Sequence, residues 1–483
     1  MPRVRGSLFL LLCSLAGAAA LSPALAVAAQ WVPLDDMPSS QVGITNTNEI
    51  GLARSADGVL HVLWVNGRDD GTEALVQTPF AGTVPSKTPV DGPTTTVLTA
   101  NPALDQSFND SVELLATGGG LRALFSRTDP GGAADGVLST ATSATGSTWS
   151  APAAASATAP ALRSPVYAGA GISGGVSVGG FLYSVWGDSS PDGGGYHGGL
   201  SPADPDHGDA LPFTPECCEI DPAVAVDSVS GELDLAANKP GTGIRVRPPH
   251  STATVVAPKS AHAWTQQRTS ISGRIGAHNI YLAYGAGNNM FNARPALWKV
   301  GSPKVLILKN QHDAQHVGMA PAPGGRLWVY WDRNGKIYAS RTNRAATHFG
   351  AVVKVSGALG GDTFYRLDGE GSLGQLDLFA LTDVPGRDLE WYTQRIAPGL
   401  SLGCAKTAKP GKTLKCDVRD AGEPVPGIDV KAAFGSHHVT GKSNAQGKVK
   451  LKVPGNAKPG NEKAETDGYP DWTDDTTSFK VKK

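Results

Sequence analysis

The feature that most constrains this chain is a short phrase that keeps returning. Gly58-Val-Leu60-His-Val62-Leu-Trp64 comes back as Gly119-Gly-Leu121-Arg-Ala123-Leu-Phe125 and Gly180-Phe-Leu182-Tyr-Ser184-Val-Trp186. It recurs over Gly231–Ala237, His278–Tyr284, Gly325–Trp331 and Gly374–Ala380. The first apolar column falls on Leu60, Leu121, Leu182, Leu233, Ile280, Leu327 and Leu376, in steps of 61, 61, 51, 47, 47 and 49 residues. Within each copy every second side chain is apolar, the signature of a strand with one buried face. The glycine ahead of it is turn chemistry. A unit of this length with one strong strand cannot bury that face alone, so units must stack into a solenoid or close into a propeller.

Division of the later units favours the closed ring. Unit six reads as four strands, His316–Pro321, Arg326–Trp331, Lys336–Arg341 and Phe349–Val355. Unit seven offers Thr363–Leu367, Leu376–Leu381 and Leu389–Ile396, then runs out. Trp31–Leu34 is expected to supply its fourth strand, joining the two ends of the ring and leaving only short, protected edges. The expected fold is all-β: a β-propeller of seven blades, with six as the alternative because the first two units are long and irregular, followed by a small β-sandwich. The 60 glycines and 35 prolines, with only 18% charged residues, suit short strands and tight turns. The Pro-, Thr- and Ala-rich stretches 83–99 and 150–164, and the Gly-, Asp- and His-rich stretch 187–215, read as connections. From about Ser401 the period stops and lysine becomes frequent. Short alternating runs such as Leu414-Lys-Cys416-Asp-Val418 and Lys448-Val449-Lys-Leu451-Lys-Val453 mark the sandwich. The expected division is 1–29 signal peptide, 30–400 propeller and 401–483 sandwich.

The first 29 residues have a basic end at Arg3 and Arg5, an apolar run from Leu8 to Ala20 and a small-residue cleavage site near Ala26-Val-Ala28. The expected location is secreted and extracellular. No later stretch is long and apolar enough to cross a bilayer. With a formal net charge of −1 the chain does not call for a nucleic-acid partner. After loss of Cys13 with the signal, Cys217, Cys218, Cys404 and Cys416 remain. Three disulfide connectivities are open, the simplest being Cys404–Cys416 with a vicinal Cys217–Cys218 bridge.

Thr142-Ser-Ala144-Thr-Gly146-Ser-Thr148-Trp149 follows the pattern S/T-x-D-x-G-x-T-W with alanine in the aspartate place, and Thr342-Asn-Arg344-Ala-Ala346-Thr-His348-Phe349 is a weaker copy. Through these phrases the stretch from Trp31 to Pro398 resembles the sialidase-like (BNR, Asp-box) propeller superfamily. The arginine triad, Asp acid/base and Tyr–Glu pair of true sialidases have no matching motif; Arg54 lies in Leu-Ala-Arg-Ser instead of an Arg-Ile-Pro segment. The tail resembles bacterial immunoglobulin-like and carboxypeptidase-regulatory-like sandwiches through Asp420-Ala-Gly-Glu-Pro-Val425-Pro-Gly427 and Asn444-Ala-Gln-Gly447.

Polar and charged residues recur just before the apolar strands, where the innermost strand of each blade should begin beside the channel. They are Glu49, Asn109 with Asp110, Arg163, Arg274, His312 with His316, and Asp362 with Arg366. Such a ring suits a polar glycan, and arginine forks suit carboxylates. Glu216, Glu219 and Asp221 flank the vicinal cysteines and are the candidate catalytic carboxylates, since two close carboxyl groups can divide into acid and base. No metal or other cofactor is expected, calcium at Asp204, Asp206 and Asp209 being the one alternative left open. Two functions follow. One is glycan recognition through the channel-mouth face, with the sandwich attaching to the cell envelope. The other is a glycoside hydrolase or polysaccharide lyase using the carboxylates near Glu216–Asp221.

Overall fold

The computed structural model describes residues 31–34, 50–67, 73–80, 95–99, 108–128, 135–154, 162–163, 172–178, 181–186, 198–202, 211–213, 220–239, 241–248, 253–263, 269–288, 292–355, 357, 359, 364–384, 387–468 and 471–483. Among these the one helix described throughout its length is a single 3₁₀ turn at Pro323–Gly325. Up to Ile396 the strands form seven consecutive antiparallel sheets. Six are meanders built from strands adjacent in the chain, one of them with a fifth strand. The seventh sheet takes its outermost strand, Val32–Pro33, from the beginning of the chain. Val32 pairs with Thr393 and Pro33 with Tyr392. The innermost strands touch one another in order around the ring and the seventh touches the first, which makes the body a closed β-propeller.

The recurring phrase forms the second strand of every sheet. Leu60, Leu121, Ile280, Leu327 and Leu376 are all buried, and the core they build lies between neighbouring blades, not at a single centre. Phe379, Leu381 and Trp391 of the seventh blade pack on Leu60, Val62 and Trp64 of the first. Leu34 joins that cluster and donates its amide to the Trp391 carbonyl. Trp31 fills the gap on the other side of the same blade, among Trp328 and Leu376. Two glycines let inner strands approach as closely as the ring demands. A Cβ on Gly273 would lie 1.9 Å from the Val226 carbonyl oxygen, and one on Gly51 would lie 2.4 Å from the Leu114 amide nitrogen.

The stretches read as connections hold strands. Thr95–Thr99 completes the first blade, Ala153–Ala154 and Leu162–Arg163 flank the second, and Gly198–Pro202 with Leu211–Phe213 complete the third. Arg163 is therefore not at the start of an inner strand. It lies on an outer strand of blade two, in register with Asp135.

Beyond Ser401 two sheets, one carrying Leu414, Cys416 and Val449 and the other Val430, Ala432 and Phe479, share one apolar core. Cys404 and Cys416 face each other across adjacent strands and form a disulfide. Cys217 and Cys218 lie outside the described residues.

One carboxyl in the propeller is held against its preference. Asp234 pairs with Ala225 in blade four. Burial, with Glu232 nearby, pushes its pKa from 3.8 up to about 6. Between those values the folded chain holds a proton that the unfolded chain has lost, so the contribution of this group to stability falls as pH rises through the window. Asp234→Asn is expected to stabilise the protein by about 1 kcal/mol at pH 7.5, allowing for solvent screening of a half-buried group, and to change nothing at pH 3.5. Urea unfolding at the two pH values checks this; an equal gain at both would refute it.

Candidate functional site

The two rims of the propeller differ. At one, the ends of the inner strands are tied to one another. Arg54, ending the first inner strand, gives Nε to Glu370 Oε2 at 2.7 Å and pairs with Asp377 at 2.5 Å, and Arg395 holds the other oxygen of Asp377. Ser228 donates to the Arg274 carbonyl. Asp227 accepts the amides of Ser230, Asn279 and Val229 beside His278. These contacts outweigh the opposing effect of burial and hold its pKa down at about 2. Arg274 is a correction to the sequence expectation. It ends the strand Ile271–Arg274, on this tied rim, and spends its guanidinium on the carbonyls of Gly325, His278 and Arg344. It is a buried structural clamp between blades five and six.

The sandwich docks on this same rim. Arg326, the first residue of the second strand of blade six, meets Asp420 and Glu423, and Arg341 gives Nη2 to Asp420 at 2.7 Å. The Arg341 guanidinium also lies over the Trp328 and Trp472 rings, 5.7 and 5.3 Å from their centroids. The opposite rim, where the inner strands start, faces away from these contacts.

That starting rim has a recurring irregularity. The first two strands of a blade slip register there in five of the seven blades, between Phe108 and Val112, Ile172 and Gly174, Ile220 and Ala223, Gln315 and Gly318, and Phe364 and Arg366. A β-bulge leaves its extra residues out of the ladder and re-aims them, and bulges gather at barrel rims and active sites. Several residues singled out in the sequence fall at these points: Asn109 and Asp110, Asp221, His316 and Arg366. The structure describes only the backbone of Asn109, Asp110 and Asp221. Glu49, Glu216, Glu219 and Asp362 lie outside the described residues, as do Asp204, Asp206 and Asp209.

Blades five to seven carry the best-defined part of the rim. His316 is buried with φ of 43°, and its Nδ1 lies 2.8 Å from Asp332 Oδ1. Asp313, three residues before, also has a positive φ of 59°. Positive φ in non-glycine residues is uncommon and persists where the surroundings enforce it. The carboxylate on Nδ1 fixes the orientation of the ring. His312 is exposed and accepts a 3.3 Å hydrogen bond from Arg294 Nε. Arg366 is buried and lines the central cavity. Tyr365 beside it is 45% exposed. The cavity, about 540 Å³, runs between the inner strands and is also faced by Glu113 and Asp368. Asp332 and Tyr365 escaped sequence reading. The one signal for Tyr365 is the pair Phe364–Tyr365, two large aromatics in succession where a regular strand would alternate.

The phrases Thr142–Trp149 and Thr342–Phe349 form turns after the third strands of blades two and six. In the first, Ser143 Oγ accepts the amide of Gly146 at 2.7 Å, and the Trp149 indole donates to the Gly146 carbonyl. In the second, Asn343 Oδ1 accepts the amides of Thr347 and His348. The residue one place before Ala144 and Arg344 supplies the acceptor that those side chains cannot. Among the described residues no cluster of three or more His, Cys, Asp or Glu could hold a metal ion. No helix among them is long and apolar enough to cross a membrane.

No family model matches the sequence, and no curated protein matches it. Among solved structures the chain is similar to the polysaccharide lyase Uly1, with a TM-score of 0.43 and 9% identity over 75% of this chain and 93% of that one. It is similar to the SapL1 lectin in complex with alpha methyl fucoside, with a TM-score of 0.39 and 13% identity over 66% and 99% of the two chains. A third similar structure is the Penicillium chrysogenum alpha-L-arabinanase complexed with arabinobiose, with a TM-score of 0.40 and 10% identity over 76% and 97%. All three TM-scores are below 0.5, and the fold rests on the sheet topology.

Proposed function

We propose that this chain is an exported, sialidase-like propeller that recognises an extracellular polar glycan through the rim where its inner strands start. The observation that carries this is the repeated bulge. Five blades break their ladder at the same rim, and the residues released there include Asn109, Asp110, Asp221, His316 and Tyr365. Polar residues of several blades placed at one rim suit the hydroxyls of a sugar chain, and the exposed Tyr365 ring supplies the apolar face on which a sugar ring can stack. The opposite rim is occupied by ion pairs and by the sandwich, which leaves this one for ligand. The sandwich, of the immunoglobulin-like kind, attaches the protein to the cell envelope.

The second reading, a glycoside hydrolase or lyase, is favoured by one placement: Asp221 lies at the bulge of blade four, one residue into its inner strand. A glycan array and a sugar-release assay on the secreted protein, beside Tyr365→Ala and the double variant Glu219→Gln/Asp221→Asn, separate the two. Recognition alone predicts selective binding without release, and binding at least about tenfold weaker in Tyr365→Ala. Release by the wild type that disappears in the double variant while binding persists would replace recognition by catalysis. Absence of any glycan binding would overturn both.

A further inference from the structure

The charge of this chain is divided unevenly. Residues 401–483 hold 14 lysines and one arginine against ten carboxylates, whereas residues 1–400 hold 27 basic and 33 acidic side chains. Two of the ten, Asp420 and Glu423, are used against the propeller. Four of the lysines lie on one sheet face. The strands Thr413–Asp420 and Lys448–Lys452 pair antiparallel, with Lys415 opposite Lys450, Thr413 opposite Lys452 and Asp417 opposite Lys448. Leu414, Cys416, Val449 and Leu451 alternate into the core. Lys415, Lys448, Lys450 and Lys452 therefore share the outer face, all exposed. The neighbouring strand Ser401–Cys404 offers only Ser401 and Gly403 on that side, and a Cβ on Gly403 would meet nothing. The one carboxylate of the face, Asp417, is already held by Lys448 and lies 3.8 Å from Arg419.

Lysines on an edge strand deter strand addition. That explains Lys448, Lys450 and Lys452. It does not explain Lys415, which is on an inner strand and directly opposite Lys450, where like charges cost stability. A face that keeps such a pair gains when an anion lies across it. We propose that this face binds a carboxylated polysaccharide laid along the two lysine rows. Lysines at alternate positions of a strand stand about 6.7 Å apart, so the rows present separate point charges on flexible stems and suit a chain whose charges are also separate. A membrane surface would call for apolar side chains to insert, and the outer face has none. Single-stranded nucleic acid would call for aromatic stacking platforms, which the face also lacks. The proposal leans on the glycan reading only in choosing a polysaccharide among polyanions.

The test is affinity electrophoresis of the full mature chain through gels containing polygalacturonate, with neutral dextran as control. The triple variant Lys415→Gln/Lys450→Gln/Lys452→Gln is expected to bind at least about tenfold more weakly, and wild-type retention should fall steeply between about 0.05 and 0.5 M salt. The variant Lys463→Gln/Lys480→Gln/Lys482→Gln removes the same charge from exposed positions off this face and should bind as the wild type does. The lysine face is read from the first triple against the second, and the rim from Tyr365→Ala on the glycan array, so that a failed rim and a failed lysine face give different results. Circular dichroism checks that each variant is folded. Equal loss in the two lysine triples, equal retention by dextran, or tighter binding to duplex DNA or anionic vesicles than to polygalacturonate would overturn the proposal.

Discussion

Asp420→Asn is expected to free the sandwich from the propeller. The wild-type carboxylate is 1% exposed and receives both Arg326 and Arg341 through one oxygen, at 2.9 and 2.7 Å. Burial pulls the pKa of Arg341 down, and Asp420 is the largest influence opposing it. Removing one member of a buried ion pair leaves an uncompensated charge and costs about 3–5 kcal/mol, more than the pair itself contributes over an apolar substitute. Here two guanidiniums lose a partner, and Arg326 keeps its ion pair with Glu423. Calorimetry should then show two thermal transitions in the variant, and a protease should cut near Pro398. One unshifted transition in the variant would mean that the backbone pairing of Gly399 with Ala351 and Thr473 holds the seam alone.

Arg54→Ala carries the second large effect. Arg54 joins blade one to two carboxylates of blade seven and is only 6% exposed in its side chain. Asp377 keeps Arg395, while Glu370 retains the Ser372 amide as its remaining described donor. The expected loss is about 3 kcal/mol in urea unfolding. Arg54→Lys should recover less than half of it, because an ammonium cannot reach both carboxylates as a planar fork does. A loss below about 0.5 kcal/mol in the alanine variant would show that apolar packing around Phe379 and Trp64 closes the ring unaided.

What the chain discloses about itself follows from burial. The second strands whose side chains are described are mostly buried between neighbours, so Leu60, Leu327 and their equivalents repeat visibly. The outer strands face solvent and carry little alternation, which is why Thr95–Thr99 and Gly198–Pro202 read as loop. The starts of the inner strands follow from counting back from the second strands. That count succeeds where the turn is short and fails at Arg274, which ends its strand, and at Arg163, which belongs to the blade before. The same count places Asn109, Asp110, Asp221 and His316 at the bulged ends of the inner strands. The tie between His316 and Asp332 was not, since it depends on a turn that returns the chain 16 residues later. The bulges themselves leave no mark in composition.

The closure of the ring sets an order of events. Arg54 waits for a partner 316 residues further on, and Val32 and Pro33 wait longer still. Contacts so distant in sequence make folding slow, because the entropy of the loop must be spent before the contact repays it. A chain emerging N-terminus first can build its middle blades as hairpins while its two ends stay unpaired. Until the last blade arrives, the first carries an uncovered apolar flank at Leu60, Val62 and Trp64. Completion is therefore a single late step, and a chain cut short within blade seven would remain an open arc with two adhesive ends.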